Sequence, residues 1–192
     1  MAPEAEGAGG AGGAGGAGGA GLVTVDALTR RKAAWAGSIL VAVLALDLVT
    51  KWVVQQTFRP HESVPVWGDF FRLTFIFNPG AAFGFHVGPH SRVIFLVLSL
   101  VALGVLILMF RNTPADHTHR LLAIGAIAGG ALGNIVDRIR SSAGVVDFLD
   151  FGIGDLRWPV FNVADIAVSV GAILLFLSFW SEDRRAREGK RE

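Results

Sequence analysis

Residues 158–181 read WPVFNVADIAVSVGAILLFLSFWS, and Asp165 is the only charged residue in this stretch. A helix crosses a bilayer with about 20 mainly apolar residues, so the stretch predicts a transmembrane helix. A charged side chain at the centre of a bilayer costs roughly 2.5 to 3.5 kcal/mol on insertion scales. Asp165 is therefore a candidate functional residue.

Three more stretches are apolar enough to cross a membrane. They cover residues 33–54, 93–110 and 121–136, and the third is the most marginal because it is short. The first contains Asp47 and Lys51, which lie one helical turn apart with the acid first, the favourable order. Only 17% of the residues are charged, against about 25% in soluble domains. With a mean hydropathy of +0.53, the chain is predicted to be an all-α membrane protein with four transmembrane helices.

Composition excludes several other classes. The chain contains no cysteine, which removes disulfides, cysteine-ligated zinc and cysteine nucleophiles. The net charge of +1 gives no indication of a nucleic-acid partner. Residues 7–21 consist of glycine and alanine, and a segment with so few bulky side chains is predicted to be disordered. The predicted organisation is a disordered tail at 1–32, a membrane domain at 33–181 and a basic tail at 182–192.

The basic residues predict the orientation in the membrane. If the chain crosses the membrane four times, ten basic residues fall on the same side of it. They stand before the first span, between the second and third spans, and after the fourth: Arg30, Arg31, Lys32, Arg111, Arg120, Arg184, Arg185, Arg187, Lys190 and Arg191. The positive-inside rule makes that side cytoplasmic, with both termini inside. The loops 57–91 and 140–157 then face outward. Residues 71–77 of the first loop mostly alternate in polarity, which predicts a small extracytoplasmic β element.

Polar residues converge at the outer ends of the spans. On the third span, residues three or four positions apart share one face: Gly130, Asn134, Asp137 and Arg138. On the fourth span, Asn162 and Asp165 share a face in the same way. A second aspartate, Asp147, lies in Val-Val-Asp-Phe at 145–148. Two carboxylates in a low-dielectric site cannot easily both ionise, so one tends to hold a proton that the other lacks. An aspartic protease needs this division between acid and base.

Five blocks in order resemble the lipoprotein signal peptidases (signal peptidase II), over about residues 35–180. The blocks are Asp47-x-x-x-Lys51, Asn78-Pro79-Gly80-Ala81-Ala82-Phe83, Gly129-Gly130-x-x-Gly133-Asn134-x-x-Asp137-Arg138, Val145-Val146-Asp147-Phe148 and Phe161-Asn162-Val163-Ala164-Asp165. One block alone would be a weak signal, whereas five in the same order form a specific one. The two terminal tails lie outside the resemblance.

The resemblance implies a bacterial inner-membrane enzyme with four helices, an extracytoplasmic β-cradle and an active site near the outer face. Its substrates would be prolipoproteins, cleaved just before a cysteine that already carries diacylglycerol. Asp147 and Asp165 would be the catalytic pair. The other expected site residues are Asn78, Gly80, Gly130, Asn134, Asp137, Arg138 and Asn162 around the substrate, and Asp47 and Lys51 as supports. No metal, no cofactor and no nucleic acid is expected; the partners would be the prolipoprotein and membrane lipid, and the enzyme a monomer.

Other readings remain open from the residues alone. The main alternative is a small proton or ion transporter in which four aspartates relay protons, since intramembrane carboxylates suit that function too; they are Asp47, Asp137, Asp147 and Asp165. The four aspartates are predicted to lie near the outer ends of the spans, whereas the residues of a proton relay should be distributed through the depth of the membrane. Residues 152–155 match the Gly-x-Gly-Asp pattern of presenilin-type proteases but lie outside any predicted span. His61-Glu62 lacks the second histidine of a zinc protease motif.

Overall fold

The computed structural model describes residues 17–82, 85–86, 88 and 90–189. Its helices are α1 (Ala17–Thr57), α2 (Ser91–Asn112), α3 (Thr118–Arg140) and α4 (Val163–Glu188). Its strands are β1 (Ser63–Trp67), β2 (Phe71–Asn78), β3 (Ala81–Ala82), β4 (Phe85–His86), β5 (Val145–Ile153) and β6 (Leu156–Arg157). Ala27–Thr57 of α1 and the other three helices are long and apolar enough to cross a membrane. The predicted fold class, four membrane helices with a small β element, is confirmed.

The first helix is longer than predicted. A disordered tail was expected up to residue 32, but α1 begins at Ala17, so residues 17–32 are helical. Extending an existing helix needs no new nucleation, and alanine and leucine favour it, so the span is prolonged toward the N-terminus. Residues 1–16 and 190–192 of the predicted tails lie outside the described residues. The division into a membrane domain and two tails stays a prediction.

Helix α3 is the centre of the bundle, and α1, α2 and α4 all pack against it. This explains why α3 is the least hydrophobic span, since its sides face other helices rather than lipid. Glycines allow the close approach: a Cβ on Gly129 would lie 2.7 Å from the Leu40 carbonyl oxygen of α1, and one on Gly130 would lie 2.5 Å from the Ala164 oxygen of α4. Gly125, Gly129 and Gly133 lie four residues apart on α3, and a Cβ on any of them would clash with α1.

The sheet draws strands from both loops that were predicted to face outward. One sheet has the order β1-β2-β5-β6, and β3 pairs with β4 in a separate hairpin. All pairs are antiparallel, and β2 and β5 are in register with Asn78 opposite Val145 and Ile76 opposite Asp147. The strand β5, which carries Asp147, was not predicted. A cluster of Val54, Phe75, Val146 and Phe148 packs the sheet on the end of α1.

The turn before β5 depends on Gly144. Its φ is +111°, a conformation that side chains other than glycine rarely adopt. A Cβ at this position would also lie 2.1 Å from the Asn78 carbonyl oxygen. The turn brings the start of β5 against the end of β2, which sets where Asp147 lies.

Candidate active site

Asp147 lies on β5 with its side chain almost fully buried, at 1% exposure. One carboxylate oxygen, Oδ2, accepts a hydrogen bond from Asn78 Nδ2 at 2.9 Å. The other, Oδ1, accepts from Asn162 Nδ2 at 2.6 Å. The carboxylate is therefore fixed at both oxygens, by a residue at the end of β2 and by one that precedes α4.

Asp165 lies in the first turn of α4 and is only partly buried. Asn162 caps this helix: its Oδ1 accepts from the Asp165 backbone nitrogen at 3.0 Å, and its own nitrogen donates to Asp165 Oδ2 at 3.2 Å. The other carboxylate oxygen accepts from Asn134 Nδ2 at 2.9 Å. A helix N-terminus favours a negative charge, so this position suits an ionised carboxylate.

Asn162 joins the two aspartates. It is fully buried, with its amide nitrogen bonded to Asp147 and its amide oxygen to the Asp165 backbone. The chain reaches this arrangement because Phe161 pairs with Leu149 just before α4, which returns the segment after β6 to β5.

The carboxyl group of Asp147 tends to hold a proton. The pKa of Asp147 is raised to about 7, chiefly because burial disfavours its charged form, and also because Asp165 is negatively charged. Hydrogen bonds from Asn78 and Asn162 and the charge of Lys51 lower the pKa and offset part of this rise. A raised pKa means that the neutral carboxyl of Asp147 is populated up to about neutral pH.

A buried ionic cluster lies directly behind the pair. Lys51 Nζ is 2.8 Å from Asp47 Oδ2, 2.9 Å from Asp137 Oδ2 and 2.9 Å from Asn134 Oδ1. The three charged residues are almost completely buried, and the positive charge lies between two negative ones. All four residues were predicted for the site, and the structure brings them together.

Each carboxylate of this cluster holds the backbone of one aspartate segment. Asp137 Oδ2 accepts from the nitrogen of Val146, the residue before Asp147, at 3.2 Å. Asp47 Oδ1 accepts from the nitrogen of Ala164, the residue before Asp165, at 2.9 Å. Lys51 therefore links the two segments through two ion pairs.

The remaining predicted residues border the same region. Arg138 Nη1 donates to the Asn134 carbonyl oxygen at 3.2 Å, and its guanidinium lies 5.8 Å from the centre of the Phe95 ring. Gly80 is buried, with a φ of +121°, and its nitrogen donates to Asn78 Oδ1 at 3.0 Å. Gly130 faces α4 in the packing described above. Phe83, part of the same sequence block as Gly80, lies outside the described residues.

Sequence reasoning missed a polar network in the sheet. Asp150, with 4% exposure, accepts from Thr74 Oγ1 at 2.6 Å and from Arg157 Nε at 2.7 Å. Arg157 also lies 3.7 Å from Asp69, which itself pairs with Arg72. Arg92 was missed too: it donates to the carbonyl oxygens of Arg138 and Ser141 at the end of α3. The available signal for Asp150 was an acidic residue within the mostly apolar stretch 145–153, but no strand was predicted there.

The chemistry of the site is that of paired carboxylates. In the described part of the chain, no group of three or more histidine or acidic side chains is arranged to hold a metal ion. The pair combines one buried carboxyl with a raised pKa and one carboxylate at a helix N-terminus. This arrangement offers one candidate general acid and one candidate general base.

Comparisons with known proteins agree with the geometry. The family described as Signal peptidase (SPase) II matches residues 39–181. The Lipoprotein signal peptidase of Desulforapulum autotrophicum is 49% identical over 138 residues, 69% of this chain and 83% of that protein. That of Moorella thermoacetica is 44% identical over 133 residues, covering 69% and 84%. A solved bacterial membrane enzyme, determined by the in meso method at 2.3 Å resolution, is similar with a TM-score of 0.69 and 30% identity, over 77% of this chain and 88% of that one.

Proposed function

This chain belongs to the signal peptidase II family, and we propose that it cleaves signal peptides from prolipoproteins by an aspartic mechanism. Membership makes it a membrane-embedded peptidase of a bacterial family. The observation that carries the proposed mechanism is the pair Asp147 and Asp165, joined by Asn162 and held in different environments. The proton-transporter alternative has no comparable support.

Asp147 is the proposed acid and Asp165 the proposed base. The Asp165 carboxylate takes a proton from a water molecule while the water oxygen bonds to the scissile carbonyl carbon. At the same step, the neutral Asp147 carboxyl donates its proton to the carbonyl oxygen. The carbon–nitrogen bond then breaks as Asp165 returns the proton to the leaving amine, and the hydroxyl proton of the intermediate goes back to Asp147. Both carboxyl groups end in their starting states.

The ionic cluster is proposed to position the pair. Asp47 and Asp137 each hold the peptide nitrogen that precedes one aspartate, and Lys51 ties the two together. A water molecule can be shared only if the two carboxyl groups stay at a fixed separation, because productive geometry tolerates displacements of only about 0.5 Å. Removing a cluster charge should therefore affect both folding and catalysis.

Arg138 and Asn78 are proposed to contact the substrate side of the site. Arg138 Nη1 donates to the carbonyl oxygen of Asn134, whose side chain holds Asp165, so the guanidinium lies beside the pair. Asn78 positions Asp147 at the end of β2, next to the Gly80 turn. The proposed substrate carries diacylglycerol on the cysteine that follows the cleaved bond, and its acyl chains would lie in the surrounding lipid.

The location in the cell is part of the proposal. Basic residues at the facing ends of α2 and α3 and in the last turns of α4 favour both termini in the cytoplasm, with the sheet and the aspartates at the outer face of the inner membrane. Asp137 and Asp165 lie at the ends of their helices nearest the sheet, and Asp47 bonds the Ala164 nitrogen at that same end, which agrees with a site at one membrane surface. We propose that the enzyme acts as a monomer, since every side chain of the proposed mechanism comes from one chain.

The function is tested by a cleavage assay. The purified protein in detergent is mixed with a diacylglyceryl-modified prolipoprotein, and the products are weighed by mass spectrometry. We expect a released signal peptide and a mature protein that begins with the lipidated cysteine. The same prolipoprotein without diacylglycerol serves as the control and should remain largely uncleaved. Equal cleavage of both substrates would contradict the proposed substrate, and cleavage of neither by folded protein would contradict the function.

The pH dependence of cleavage follows from the proton on Asp147. Because its pKa is raised to about 7, the neutral acid is present below that pH and is lost as the pH rises through it. We expect kcat/KM to fall above about pH 7, approaching tenfold per pH unit, as for loss of one essential proton. The measurement is kcat/KM between pH 6 and 9, with thermal unfolding recorded at each pH. A flat profile over this range in folded protein would rule out Asp147 as the acid.

A further inference from the structure

An apolar groove runs between α1 and α2 over the surface of α3, far along the helices from the aspartates. It has a volume of about 430 Å³. Its floor is buried and includes Leu106 of α2 and Ile124 of α3, and its walls include Ala36 and Gly37 of α1. None of the side chains that line it is polar. The proposed mechanism makes no use of this groove.

The groove exists because the α1 wall is built from small residues. Ala36 and Gly37 follow Ala33 by three and four positions, so both lie on the same side of α1 as Ala33. A Cβ on Gly37 would meet no atom within 4 Å, which means that the wall is not filled by a neighbouring helix. Because α1 and α2 both pack on α3, the space between them stays open within the membrane-spanning stretches.

One end of the groove carries a basic cluster formed by Arg30, Lys32 and Arg111. Lys32 Nζ donates to the Arg111 carbonyl oxygen at 3.0 Å and lies 5.1 Å from the centre of the Phe110 ring, which lines the groove. Arg30 precedes Ala33 by three positions and Arg111 follows the lining residue Ile107 by four, so each lies on the groove side of its helix. Both arginines are exposed.

We propose that this groove binds one anionic phospholipid, with an acyl chain between α1 and α2 and the phosphate at the basic cluster. The charge of the cluster selects an anionic headgroup, and guanidinium groups suit phosphate geometry. The ammonium of Lys32 has further donors beyond the bond to Arg111. The volume lies within the roughly 300–1,000 Å³ of small-molecule sites, which suits a flexible chain rather than another helix. The lipid would come from the leaflet on the Lys32 side, and the proposal is independent of the proposed function.

Filling the groove provides the test. Gly37→Leu places a side chain into the groove without a backbone clash, whereas Gly104→Leu on α2 adds the same side chain outside the groove. Native mass spectrometry in detergent would measure retention of dioleoyl-phosphatidylglycerol and of dioleoyl-phosphatidylcholine. We expect the wild type to retain one phosphatidylglycerol in preference to phosphatidylcholine. Gly37→Leu should weaken this binding at least tenfold, and Gly104→Leu should leave it unchanged.

A second variant tests the headgroup contact separately. Arg30→Gln combined with Arg111→Gln leaves the groove intact, so it should reduce phosphatidylglycerol binding to the level of phosphatidylcholine. Thermal unfolding of each variant checks that the fold persists, and the charge variant carries the test if Gly37→Leu does not fold. Equal retention of the two lipids by the wild type would overturn the proposal. Equal loss in both leucine variants, or full binding by the charge variant, would overturn it as well.

Discussion

Replacing Asp165 by asparagine is expected to reduce kcat/KM for prolipoprotein cleavage by about 10²- to 10⁴-fold, the usual contribution of a general acid or base. The amide can still accept the hydrogen bond that Asn134 Nδ2 now donates at 2.9 Å, although it loses the longer bond from the Asn162 nitrogen at 3.2 Å. It cannot take a proton from water, because an amide is not a base at neutral pH. The loss should therefore lie in kcat. Asp147→Asn should cause a comparable loss, since an amide cannot replace the acid.

The matched control is Asp155→Asn, which makes the same change in an exposed turn between β5 and β6. Its cleavage rate should stay within about twofold of the wild type, as for surface changes away from a site. Each variant is measured in the cleavage assay after its thermal unfolding and yield have been compared with those of the wild type. Near wild-type turnover by a folded Asp165→Asn or Asp147→Asn protein would refute the proposed catalytic pair.

Replacing Lys51 by methionine is expected to destabilise the folded protein by about 3–5 kcal/mol, the usual cost of removing one partner from a buried ion pair. In the wild type, Lys51 Nζ lies within 3 Å of both Asp47 and Asp137. In the variant, these two carboxylates would remain buried with no neutralising charge between them. The backbone nitrogens of Val146 and Ala164 depend on these carboxylates, so the segments carrying the catalytic pair should shift as well. Unfolding in denaturant measures the first effect and kcat the second.

A double-mutant cycle separates the ion pair from simple loss of packing. Asp137→Asn removes one buried negative charge while its amide oxygen can still accept from the Val146 nitrogen. Combined with Lys51→Met, it should recover part of the lost stability, because fewer unpaired charges remain in the protein interior. Residues in contact commonly show coupling energies of about 0.5–3 kcal/mol in such cycles. Additive effects would show that Lys51 contributes through packing alone.

Much of this molecule follows from local sequence pattern. The four spans are set by the length of apolar runs, because lipid leaves no other way to satisfy the backbone of these segments. The contacts of Gly125 and Gly129 with α1 follow from helical spacing, since residues four apart share a face. The capping of α4 is also local: Asn162 and Asp165 are three residues apart, the spacing at which a side chain reaches the first free backbone nitrogens of a helix.

Other features depend on contacts between distant residues. The strand that carries Asp147 was missed, because β5 is stabilised by pairing with β2, almost 70 positions earlier. The same pairing explains why Asp150 and Arg157 were not predicted as a buried pair. The helical start of α1 was missed because glycine-rich composition predicts disorder, whereas the adjoining span allows the helix to continue.

The sequence by itself determined the membrane class, the number of spans, the family and the residues gathered at one end of the helices, because each depends on composition, periodicity or ordered motifs. Only the tertiary structure decided that Asp147 is the more buried of the two aspartates. It also decided that Lys51, through its ion pairs with Asp47 and Asp137, links the backbone segments that precede Asp147 and Asp165. The pKa of a carboxyl depends on the water, charges and donors around it, and folding supplies these from segments such as Asn78 and Asn162 that are far apart along the chain.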